Sequence, residues 1–148
     1  MVKTKIAFII FAVLTVIIFP YYIFILSFDS DFINSIIPGW HTTIFPARII
    51  SNLFKFLILG VISFYYWKLS KIKNEINLKN FIIHFFLTIP AILIVKLNLY
   101  EFLRMFSYNP ESFLSLIKAV LYINILVNIL FFIGQVFFVL LYTRIIKK

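Results

Sequence analysis

The chain has 148 residues, of which 64% are hydrophobic and 13% charged, with 20 Phe, only 3 Gly and a formal net charge of +9. A soluble domain of this length carries about half apolar residues, so this balance excludes an ordinary water-solvated fold and makes lipid the main solvent. The absence of Cys removes any disulfide, thiolate metal site or thiol nucleophile.

The other strong metal ligands, His41, His84 and five carboxylates, show no H-x-x-x-H or H-x-x-E spacing. Neither a metal nor a cofactor is expected. The basic residues flank the apolar runs instead of interleaving with polar surface, a pattern of membrane orientation and not of a nucleic-acid-binding face.

Four apolar runs predict the architecture: an all-α integral membrane protein, a single four-helix transmembrane bundle over residues 1–148, with spans near 6–28, 49–67, 81–100 and 119–143. Backbone groups in hydrocarbon must be satisfied within each segment, so the runs are read as helices. The first, Ile6 to Phe28, is uncharged for 23 residues, long enough at about 1.5 Å per residue to cross a core of about 30 Å. Lys3 and Lys5 precede it as in a secretory leader, but its length and the lack of an A-x-A-like site point to an uncleaved anchor. Pro20 lies inside this run and is expected to kink or loosen the helix.

After Asp29, Ser30 or Asp31 can cap a short helix whose apolar side (Phe32, Ile33, Ile36, Ile37) lies flat in the headgroup layer, making a short interfacial segment. Pro38 and Gly39 turn the chain, Trp40 suits the aromatic belt, His41 follows, Thr42 and Thr43 can satisfy free backbone groups, and Pro46 opens the next helix. The second run, Ile49 to Trp67, is interrupted only by Lys55. The third is uncharged from Phe81 to Val95, then passes Lys96 to end near Tyr100. The fourth, Ala119 to Thr143, is uncharged for 25 residues.

The connections set the orientation. Lys3 and Lys5, the link holding Lys68, Lys71, Lys73 and Lys79, and the tail with Arg144, Lys147 and Lys148 share one side, while four of the five acids lie in the other two connections. The positive side is cytoplasmic, which places both termini inside an inner membrane and residues 29–48 and 101–118 outside.

Residues 31–50, and "PGWHTTIFP" within them, resemble a stretch in the NrfD/polysulfide-reductase-like membrane subunits of alternative complex III, where a P-G-W-H-[ST]-T-I-F-P-P segment adjoins membrane helices. Ala47 stands where the second Pro of that pattern would be, and the match covers only this stretch. The resemblance implies the neighbourhood of a respiratory quinol-oxidising complex and carries no catalytic role to any residue here.

Polar residues within the spans form seams. Arg48, Ser51, Asn52, Lys55 and Tyr66 share one side of the second helix, with Lys55 about 10 Å in from its outer end. His84, Thr88 and Asn98 share a face of the third, with Pro90 between them, and Asn124, Asn128, Gln135 and Tyr142 of the fourth fall within an arc of about 40°. Turning the seams toward one another makes them interhelical glue; a hydrated ligand site around Lys55, Asn124 and Asn128 is the sharper alternative. All five acids lie in connections or helix ends, which demotes a proton-coupled pump.

The reading that follows is a small non-catalytic subunit or accessory factor of a larger membrane assembly, with lipid and other membrane subunits as partners and no nucleic acid. An alternative is a quinone- or lipid-binding membrane enzyme working at the outer face through Trp40, His41, Thr42, Thr43 and Arg48. A third is a small channel or carrier using Lys55 and the Asn seam.

Overall fold

A computed structural model describes residues 1–19, 47–97, 99–105 and 113–147. In chain order the described elements are β1 (Val2–Lys3), α1 (Thr4–Ile18), α2 (Ala47–Ile72), β2 (Glu75–Ile76), α3 (Leu78–Lys96), α4 (Leu99–Arg104) and α5 (Phe113–Ile146). The protein is helical, and α5 together with Ile50–Ile72 of α2 are long and apolar enough to cross a membrane. The helical stretches Thr4–Ile18 and Leu78–Ile94 are apolar but shorter.

Several boundaries differ from the sequence expectation, each for a local reason. Within the run expected as a span over 6–28, α1 covers Thr4–Ile18, and Phe19 leaves the helical region at φ −50° and ψ 131°. A residue before proline is pushed out of the α region by the ring of the next residue, which accounts for the conformation of Phe19; residues 20–28 of the expected span, with the kink expected at Pro20, and the interfacial segment expected near 31–37 lie outside the described residues. The span expected at 81–100 is divided: α3 starts at Leu78, where the Asn77 side chain accepts a hydrogen bond from the Lys79 N–H, and closes at an extended Leu97 (φ −85°, ψ 133°). The short α4 follows, with an exposed Arg104–Glu101 ion pair at 3.9 Å, a contact of little energetic weight in solvent. The last helix outruns its expected span of 119–143 at both ends.

A two-residue antiparallel ribbon, unforeseen in an all-α reading, ties the N-terminus to the link between α2 and α3. Val2 pairs with Ile76 and Lys3 with Glu75. Helix α1 has no side-chain cap of its own; its first free groups are met by the link, with the Thr4 N–H donating to Asn74 O at 2.9 Å and Thr4 Oγ1 to Lys73 O at 2.6 Å. Ile76 and Thr4 are buried while Lys3 and Glu75 are exposed, so the ribbon turns its apolar side to the bundle and its charges outward.

The core forms from one stripe on each of α1, α2, α3 and α5, at the spacing of an α-helical face. These stripes include Ala7, Phe11 and Ile18 of α1, Leu59, Ile62 and Tyr66 of α2, His84, Thr88 and Ala91 of α3, and Val127, Phe131, Gln135 and Phe138 of α5. Helix α1 packs chiefly on α2, and α3 on α5. The Thr15 and Ser63 hydroxyls, 3.0 Å apart, join the first pair. Rings join the two pairs: Phe11 stands edge-on to Phe81 at 6.3 Å, and Tyr66 packs on Phe138 at 4.5 Å. The opposite face of α5, including Ile129, Phe132, Ile133, Val136 and Leu140, is exposed and apolar along its length.

Candidate functional site

The polar centre of the bundle is built around His84, which is fully buried. Its ring lies nearly parallel to those of Phe11 (centroids 4.5 Å apart, 7° between planes) and Phe138 (5.0 Å, 24°). Helices α1 and α5 thus each set an aromatic ring against the imidazole. Tyr66 Oη lies 2.9 Å from Nδ1, and Gln135 Oε1 lies 3.4 Å from Nε2.

The proton positions follow from one acceptor. Gln135 Nε2 lies 3.1 Å from the Phe131 carbonyl, which can only accept, so the amide nitrogen must be on that side. That fixes Gln135 Oε1 toward His84, requires His84 Nε2 to donate to it, and leaves Nδ1 as acceptor for the Tyr66 hydroxyl. The Thr88 hydroxyl donates to His84 O at 2.8 Å and accepts from Gln135 Nε2 at 3.3 Å. Each imidazole nitrogen and each Gln135 polar atom therefore has a partner, and the network closes on itself.

Close approach of two helices makes this network possible. Gly134 precedes Gln135, and a Cβ placed on it would lie 3.0 Å from Leu87 Cβ and 3.4 Å from Thr88 Oγ1. Only a residue without a side chain lets α5 come near enough to α3 for the Gln135 amide to reach Thr88 and His84, the small-residue contact typical of membrane helices.

Trp40, His41, Thr42 and Thr43 lie outside the described residues. Arg48 falls in the first turn of α2, with its side chain also outside the described set. Lys55 is buried, in line with Leu59, Ile62 and Tyr66 on the inner face of α2. Asn124 and Asn128 are half-buried; the Asn124 amide donates to Val120 O of its own helix at 2.9 Å, a local bond and not a bridge between helices.

The residues that do meet are Tyr66, His84, Thr88 and Gln135, members of the three seams but not among the residues the sequence offers as a ligand site. The signal for them in the sequence was a set of polar residues with aromatic neighbours on one helical face each; what it lacked was the depth at which the helices touch.

Nearer the ribbon, a cavity of about 30 Å³ lies between α2, α3 and α5, lined by Tyr66, Ile76, Asn80, Phe138 and Tyr142 among others. Among the described residues, Tyr142 Oη is the buried side-chain polar atom without a hydrogen-bond partner. The space suits one or two waters and nothing larger. No protein-family model, curated protein or solved structure matches this chain.

Proposed function

We propose that this chain is a small polytopic inner-membrane protein with four spans and both termini in the cytoplasm, acting as a non-catalytic subunit or accessory factor of a larger membrane assembly. The observation that carries the reading is the contrast between inside and outside. The polar groups around His84 are engaged with one another, and the adjoining cavity has room only for water. Outside, the free face of α5 offers an unbroken apolar surface. At 34 residues that helix is about 51 Å long, more than the 40–45 Å or so of a whole bilayer, so it tilts or projects and presents area for a neighbouring subunit.

Two further points support the details. The N-terminus pairs with the α2–α3 link, and the link shares a cavity lining with the last turns of α5. The three basic segments therefore lie at one end of the bundle, as the positive-inside rule asks of a chain with both termini cytoplasmic. The resemblance of residues 31–50 to alternative complex III membrane subunits makes a respiratory assembly the first place to look.

Blue-native electrophoresis after extraction in mild detergent tests the reading. Comigration with a larger complex is expected; migration only as a monomer or small homo-oligomer would sink it.

A further inference from the structure

The ribbon gathers charge in a fixed place. Pairing of Val2 with Ile76, together with the two Thr4 bonds to Lys73 O and Asn74 O, holds the N-terminus against the link. Exposed Lys3, Lys5, Lys73 and Lys79 therefore lie at one end of the bundle, the end reached by the last turns of α5 with Arg144 and Lys147, and Glu75 stands in register with Lys3. Orientation in a membrane requires only that such charges be present in the link and tails; it does not require that they be held in a folded ribbon.

The surroundings identify what the charges meet. Exposed Trp67, Ile72 and Leu78 each adjoin a lysine along the chain, at 39%, 60% and 44% exposure, and the Lys71 ammonium sits 3.7 Å over the Trp67 ring. An aromatic ring and two bare aliphatic side chains beside cations match the boundary between acyl chains and headgroups. A water-soluble polyanion would leave those apolar side chains wet.

We propose that the ribbon end binds the phosphate of an anionic phospholipid from the adjoining leaflet, with Lys3, Lys73 and Lys79 as its principal charge partners. The inference rests on the membrane reading above, but not on any partner subunit. The platform is built so that Thr4 and the Val2–Ile76 pair fix the backbone while the lysines reach the headgroup layer.

The test uses the full chain reconstituted into vesicles of mixed phosphatidylcholine and phosphatidylglycerol, re-extracted gently, with retained lipids counted by native mass spectrometry. Phosphatidylglycerol should be retained preferentially, and each of Lys3→Gln, Lys73→Gln and Lys79→Gln should lower the preference about fivefold. Glu75→Gln should raise it, a gain that misfolding could not produce. Lys118→Gln, in the first turns of α5 at the far end, should leave it unchanged.

Equal retention of the two lipids, or a Lys118→Gln effect as large as that of Lys73→Gln, would overturn the proposal. So would displacement of the lipid by soluble glycerol phosphate at matched concentration, which would assign a free-phosphate site instead. Failure of the chain to float with the vesicles would refute the membrane reading and this proposal together; flotation without lipid selectivity refutes this proposal alone.

Discussion

Two glycines in two apolar helices should respond to the same substitution with opposite sign. At Gly134 an added methyl would lie 3.0 Å from Leu87 Cβ, about half an ångström inside the favourable carbon–carbon distance. Because Leu87 Cβ is fixed by its own backbone, no rotamer change can relieve the contact, and α3 and α5 must separate. The Gln135–Thr88 and His84–Gln135 bonds, at 3.3 and 3.4 Å, already lie at the long end of the hydrogen-bond range, so the separation breaks them.

Overpacking costs about 1–3 kcal/mol, and two interhelical bonds add about 0.6 kcal/mol each. The better helix propensity of Ala returns about 1 kcal/mol. Gly134→Ala is therefore expected to destabilise the fold by about 2 kcal/mol, or about thirtyfold in the unfolding constant. At Gly60 a Cβ meets nothing within 4 Å, so Gly60→Ala should stabilise by up to about 1 kcal/mol.

Equilibrium unfolding in mixed micelles of rising SDS content, followed by tryptophan fluorescence, would measure both. Gly134→Ala as stable as the parent, or the two variants shifting together, would refute the close helix contact.

Tyr66→Phe removes the hydroxyl donated to His84 Nδ1 and should cost about 1 kcal/mol in the same unfolding assay, the scale of one interhelical bond lost in a buried site. Thr4→Val deletes the bond to Lys73 O; amide hydrogen exchange should quicken across residues 74–76 while the middle of α5 keeps its protection, since the ribbon can open without the core. For orientation, cysteines placed at Ser70 and Ser112 of this Cys-free chain should differ toward an impermeant maleimide in intact cells. Ser112→Cys should label and Ser70→Cys should not; the opposite pattern would invert the assignment of sides.

The sequence alone determined the helices. A hydrophobic content of 64% points to lipid as solvent, and the run Ala119 to Thr143 lies within a helix long and apolar enough to cross a membrane. Helical periodicity also placed Tyr66, His84, Thr88 and Gln135 on inward seams, because a 3.6-residue repeat fixes which side chains share a face.

Periodicity along one helix carries no distance to another, so only the tertiary structure decided which seam residues touch. It chose Tyr66, His84, Thr88 and Gln135 through the approach allowed at Gly134, and gave Asn124 a partner within its own helix. It also decided the ribbon, which no strand periodicity announced: two residues are too few for an alternation to be visible, and Val2–Lys3 becomes a strand only because the link between α2 and α3 is there to pair with it.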